Sequence, residues 1–146
     1  MKNKMFTFIV FLLILSGSFS ACKDEQKEPV SLTNTSWKLV GIVDTKTNVL
    51  TELEPKDCAK CFTLIFDTDS TFLTYTASND LGGVYIIDYI TQSFHITNFG
   101  GTKVGEIGGG ELYVTPFWNK SILSFSLQQN ELKLYYNDGK NYLNFK

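Results

Sequence analysis

The sequence predicts an all-β domain of about eight mainly antiparallel strands in a barrel-like sheet with at most one short helix; a two-sheet β-sandwich is the alternative. Three observations lead there. From Leu32 onward apolar residues fall mainly at alternate positions in short runs, the period of strands with one buried face. Polar segments rich in Asp, Asn and Gly separate these runs and supply hairpin chemistry. Of 146 residues, 43% are hydrophobic and 14% aromatic, which suits one domain with one buried core. Closure of the sheet is favoured because it removes exposed strand edges.

The runs are Trp37 to Val43, Phe62 to Phe66, Thr71 to Ala77, Val84 to Tyr89, Phe94 to Thr97, Ile122 to Leu127, Leu132 to Tyr136 and Tyr142 to Phe145. The turn segments Asp67-Thr68-Asp69-Ser70, Gln129-Asn130 and Asp138-Gly139 join neighbouring runs as antiparallel hairpins. Trp37 at the start of a strand would plug one end of the barrel, with Tyr85 and Phe66 beneath it. Asn79 beside Gly82-Gly83 suits a turn or bulge in which the side-chain amide holds backbone. Gly100 to Gly110 holds six glycines and reads as a flexible loop near a barrel mouth. Leu112, Val114, Phe117 and Trp118 fall at uneven spacing with Pro116 among them, so Glu111 to Ser121 reads as a short helix, with an irregular segment as the alternative.

The first 21 residues read as an export signal. Lys2 and Lys4 precede an apolar run from Met5 to Leu15, shorter than the roughly 20 residues a spanning helix needs, and small residues follow. Phe19-Ser20-Ala21-Cys22 resembles the lipobox of bacterial lipoproteins, which implies that Cys22 is lipidated and holds the mature chain to a membrane. Residues 22–31 are a charged tether, and residues 32–146 are the folded domain. Lys23-Asp24-Glu25 resembles the signal that sends lipoproteins of Bacteroidetes to the cell surface, so the expected place is the outer membrane, with display on its external face; an anchor facing the periplasm is the alternative. Without residues 1–21, 11 lysines face 15 acids, and 11 − 15 = −4 gives no attraction to anionic lipid.

Leu32-Thr33-Asn34-Thr35-Ser36-Trp37-Lys38-Leu39-Val40, the Phe66 to Phe72 hairpin, Asn79 with Gly83 and Tyr85, Thr102, and the closing Leu132, Leu134, Leu143 and Phe145 together resemble the META domain of HslJ-like lipoproteins. The likeness spans the mature domain. It implies an eight-stranded barrel-like fold, an envelope location and no enzymatic reaction. Ala77-Ser78 stands where that family has Gly-Cys, and no cysteine follows Thr102, so a cysteine pair of the family is missing here.

Candidate chemistry is sparse. With Cys22 lipidated, Cys58 and Cys61 are left as an even pair, and an oxidising compartment favours a disulfide clip in Cys58-Ala59-Lys60-Cys61. Redox activity would need this motif at a helix start, and a strand follows instead; a metal would need further ligands. Asp67 and Asp69 match the D-x-D-x-T of haloacid-dehalogenase phosphatases but lack the alternating α/β context, and a hairpin turn accounts for them. His95, the only histidine, reads as a sheet-face residue, since no nucleophile motif accompanies it. All 13 basic residues are lysines, and the absence of arginine argues against nucleic acid as a partner. No catalytic residue, metal site or cofactor is assigned.

The function this implies is a noncatalytic, membrane-anchored envelope lipoprotein, an interaction or envelope-stress support module whose partner is a protein. The alternative is a lipocalin-like binder of a small apolar ligand, because inward residues that fill a barrel and those that line a pocket share one pattern.

Overall fold

The computed structural model describes residues 31–68 and 70–146. Cys22, the signal and most of the tether lie outside the described residues, as does Asp69. In chain order the described elements are β1 (Thr35–Asp44), β2 (Leu50–Thr51), β3 (Thr63–Phe66), β4 (Thr71–Tyr75), β5 (Asp80–Asp88), β6 (Ser93–Gly101), α1 (Gly110–Trp118), β7 (Ser124–Gln128), β8 (Glu131–Tyr136) and β9 (Asn141–Phe145). All pairings are antiparallel and form one sheet in the order β2-β1-β3-β4-β5-β6-β7-β8-β9, with β1 also paired to β9. The sheet therefore closes into a ring. One edge of β1 meets β3 along residues 35–38 and β2 at residues 42–43; its other edge meets β9. The all-β, barrel-like expectation is met, with β2 as an added ninth strand. Two exposed residues are too few to display a period, so β2 left no signal in the sequence.

The thinnest seam is between β6 and β7, paired through Ser93 and Ser124 alone and flanked by Phe94 N–H to Leu123 O at 3.0 Å and Phe125 N–H to Gln92 O at 3.0 Å. The connection between these strands carries α1, which packs back against β6. Phe99 of β6 meets Phe117 at 5.5 Å and Trp118 at 4.7 Å between ring centroids.

Every strand of the ring sends side chains inward, among them Trp37, Phe66, Phe72, Tyr85, Phe94, Phe125, Leu134 and Phe145, all buried. Tyr85 stands edge-on to Phe66 at 5.1 Å and stacks on Phe94 at 5.3 Å. Trp37 donates its ring N–H to Thr35 Oγ1 at 2.7 Å, so its one polar atom is satisfied as it is buried. From α1 come Tyr113, Val114 and Phe117, all buried, with Phe117 5.8 Å from Phe72 and Tyr113 5.4 Å from Phe62. Side chains occupy the interior, so the lipocalin-like alternative finds no hollow among the described residues.

Several local expectations are corrected. Gly100 and Gly101 close β6 and Gly110 opens α1, so the loop is residues 102–109. Gly82 and Gly83 lie within β5 opposite Leu73 and Phe72, and the register shift falls between Val84 and Tyr85. Glycine is needed at Gly83 because a Cβ there would fall 2.7 Å from the Phe72 ring and 2.5 Å from the Asn98 carbonyl. Phe62 has a positive φ of 55° and precedes β3 rather than starting it.

Tyr113 brings a hydroxyl into this core. Thr74 Oγ1 donates to the Thr63 carbonyl at 3.0 Å, which uses its only proton, so Tyr113 is the donor in the 2.5 Å contact between the two hydroxyls. Burial pushes the Tyr113 pKa well above the ordinary tyrosine value. In urea unfolding at neutral pH, Tyr113→Phe is expected to lower stability by about 1 kcal/mol, the net worth of a hydrogen bond. Above pH of about 10 the unfolded chain releases a proton that the folded chain retains, so stability falls as pH rises, by up to ~1.4 kcal/mol per pH unit for this group. The variant should lose that part of the slope; equal slopes in both proteins would refute a buried neutral tyrosine.

Candidate functional site

Between the loop of residues 102–109 and α1 lies a cleft of about 720 Å³, half apolar and half polar in its walls. Its position follows from Asn79. Asn79 sits in the turn between β4 and β5, where the Thr76 N–H donates to its carbonyl at 2.9 Å, and it is 3% exposed. Its side-chain amide grips the loop from both sides. Nδ2 donates to the Val104 carbonyl at 2.8 Å and to Glu106 Oε1 at 2.6 Å, while Oδ1 accepts from the Val104 N–H at 2.7 Å. The sequence reading of Asn79 as a residue that holds backbone is met, and the backbone is that of the glycine-rich loop.

Glu106 carries the clamp into the helix. Its Oε2 is buried without a hydrogen-bond partner and lies where a Cβ on Gly110 would come within 2.3 Å. The carboxylate thus rests against the first residue of α1, whose cap Gly109 offers no side-chain acceptor, and the positive end of the helix compensates its charge. Further along, the Gly108 carbonyl accepts the Glu54 N–H at 2.8 Å, and the φ of 61° at Gly108 with the Glu54 carbonyl alongside admits only glycine. The loop is therefore held at three places.

Above the Asn79–Glu106 clamp the cleft wall presents Trp118, 41% exposed, with the amide of Asn119, the hydroxyls of Thr102 and Thr115, the carboxylate of Glu111, and Lys103. No histidine, cysteine or serine is among its lining residues. The sequence marked Asn79 and Thr102 but not Trp118, Glu106 or Glu111. No sequence signal separated Trp118 from the core, because its exposure is set by where the helix meets the end of the barrel.

Cys58 and Cys61 lie at the same end of the barrel. They are joined, with Cα atoms 5.4 Å apart, and β3 rather than a helix follows. Lys38 of β1 reaches this segment: its Nζ donates to the carbonyls of Cys58 at 2.6 Å, Ala59 at 3.3 Å and Cys61, matching three ammonium protons to three acceptors. Burial lowers the Lys38 pKa. Lys60 pairs with Asp80 at 3.0 Å and lies over the Tyr75 ring at 4.1 Å; at this exposure the ion pair contributes little.

The remaining sequence candidates are dispersed. Asp67 accepts from the Thr68 N–H at 2.7 Å within the β3–β4 hairpin, and Ser70 there has a φ of 64°. His95 is exposed on the outer face opposite Ile86. Among the described residues no three His, Cys, Asp or Glu side chains converge as a metal set.

No family model matches the chain. A Tannerella forsythia protein named "Putative lipoprotein" is 32% identical over 149 residues, covering 100% of this chain and 97% of that protein. Two solved structures share the fold at 18% identity. One is a DUF4847 family protein from Bacteroides vulgatus, with a TM-score of 0.57 over 77% of this chain and 91% of its own. The other is a protein from Burkholderia xenovorans, with a TM-score of 0.62 over 85% of this chain and 96% of its own.

Asn79→Ala removes the partners of the Val104 N–H and carbonyl and of Glu106, and is expected to lower stability by about 2–4 kcal/mol from several unmet groups. Hydrogen exchange should accelerate across residues 102–109 before the rest of the domain; uniform acceleration would show that Asn79 does not act through the loop. For the cysteine segment, the intact nonreduced domain should weigh about two mass units less than the reduced one. Lys38→Met should cost about 1–3 kcal/mol and speed exchange at residues 58–61.

Proposed function

This chain belongs to the family of the Tannerella forsythia lipoprotein, and from that premise we propose that it is a noncatalytic, lipid-anchored envelope protein whose cleft engages a partner in the envelope. In this reading residues 1–21 are a removed signal, Cys22 is the lipidated residue, residues 22–31 are the tether and residues 32–146 form a META-like domain. Lys23-Asp24-Glu25 directs it to the outer membrane and its external face.

The observation that carries the proposal is the placement of the cleft. Asn79 precedes β5 and Tyr89 follows it, so nine residues of strand, about 30 Å, separate the cleft from Tyr89. The Tyr89 hydroxyl accepts the Leu32 N–H at 2.9 Å, which places the beginning of the domain at the opposite end of the barrel from the cleft. A chain tethered there presents its cleft away from the membrane. The filled interior adds support, since it leaves the surface as the place for recognition. The META-like reading draws on the buried Trp37 and Tyr85 and on the Asn79 clamp, the residues that carried the resemblance.

Replacing Cys22 by Ser should move the protein from the membrane fraction to the soluble fraction of its host. A photocrosslinking residue in place of Lys103 should then give a discrete adduct in cells expressing the anchored form, and the same residue at Lys133 on the outer wall should not. Retention of the Cys22→Ser variant in the membrane would sink the anchor, and indistinguishable adducts at both sites would sink the cleft.

A further inference from the structure

The β5–β6 hairpin carries an apolar tip that packing leaves uncovered. Ile90 is 94% exposed, the most exposed of the large apolar residues described, and Tyr89 beside it is 43% exposed. The turn holds Ile90 outward: Asp88 Oδ1 accepts from the N–H groups of Ile90 at 2.8 Å and Thr91 at 3.2 Å, bonds that hold the Asp88 pKa below its ordinary value. The one charge of the turn is the Asp88 carboxylate, which these bonds occupy; residues 89–99 contain no Lys, Asp or Glu.

Tyr89 also fixes where the N-terminal segment joins the fold. Its hydroxyl contacts Ser31 Oγ at 3.3 Å as well as the Leu32 N–H, and its ring stands edge-on to Phe125 at 5.6 Å. Ser31 begins the described residues, and residues 23–30 separate it from Cys22. Nine extended residue steps reach at most about 30 Å, so the hairpin tip lies within reach of any surface to which Cys22 is attached. A tyrosine with an apolar ring and a bonded hydroxyl beside an exposed isoleucine is the chemistry of a bilayer interface.

We propose that the Tyr89–Ile90 tip is a second membrane contact that inserts into the interface of the bilayer holding the Cys22 lipid. The inference rests on the anchor reading above and adds an orientation to it: the barrel stands with this hairpin against the membrane. Its occupant is lipid rather than a second copy, because one turn supplies far less than the roughly 800 Å² per partner of a stable interface. The contact is driven by burial of apolar surface, as the −4 charge calculated for residues 22–146 gives no electrostatic attraction (11 − 15 = −4).

The test uses full-length lipidated protein from its host, reconstituted into neutral phosphatidylcholine vesicles. An environment-sensitive fluorophore is placed on Ile90→Cys and, as control, on Lys46→Cys, at the far end of the ten-residue β1. Spin-labelled lipid quenching near the headgroups should reduce the label at position 90 at least twofold more than the label at position 46. Equal quenching in protein that floats with vesicles overturns the contact while leaving the anchor standing. Self-transfer between labels at position 90 without lipid quenching replaces it with a dimer contact. Failure to float with vesicles overturns the anchor and the contact together.

Discussion

A ring of eight strands encloses a volume that must be filled with side chains or left for a ligand, and here α1 decides the matter. Its two inward aromatics, Tyr113 and Phe117, are both fully buried and bridge opposite parts of the sheet: Phe117 packs on Phe72 and Phe99, and Tyr113 packs on Phe62 and Phe145. The helix thus completes the core where strand pairing is weakest, across the β6–β7 seam. A hydroxyl inside such a core would be costly unless bonded, and Thr74 and the Thr63 carbonyl form the relay that accepts it. The position of α1, the filled interior and the buried polar relay are consequences of one requirement.

That requirement reaches the surface through the loop before α1. To deliver the helix, the chain must leave β6 at Gly101 and return nine residues later, and a free glycine-rich segment would allow many return paths. Asn79 selects one of them. Its two bonds to Val104 make the loop an added backbone partner of the β4–β5 turn, and its bond to Glu106 sets a carboxylate against the start of the helix. The cleft is the space left between a loop fixed from one side and a helix fixed from the other. Lys38 performs a similar task for residues 58–61, bonding three carbonyls that no strand pairs.

How much of this was legible depends on the range of each interaction. Alternation in FTLIF, TFLTY and LKLYY revealed strands because burial on one face writes a period-2 pattern directly into the sequence. Asn79 was legible as a backbone holder because amide side chains at turns have few other uses, but its partner lay 25 residues away and only the fold brings Val104 to it. The ends of β5 and β6 were hidden by their glycines: Gly82, Gly83, Gly100 and Gly101 read as loop residues, yet they are tolerated in strands where close neighbours leave no room for a Cβ or where the surface is open. Trp118 could not be told from core, since exposure of one helix face depends on where the barrel ends.

The same geometry separates the two ends of the barrel in kind. At the Tyr89 end the described residues begin, and the β5–β6 turn leaves Ile90 uncovered beside the Asp88 carboxylate. At the Asn79 end lie the cleft, with walls half apolar and half polar, the cysteine segment and the Lys60–Asp80 pair, braced by Asn79, the disulfide and Lys38. Bracing of this sort keeps a recognition surface in one shape at little cost in area, because each clamp removes chain freedom before a partner arrives. A barrel filled by its own helix leaves no hollow among the described residues, so the accessible surface at this end is the rim. Asn79, the 102–109 loop and α1 build that rim and fix its shape.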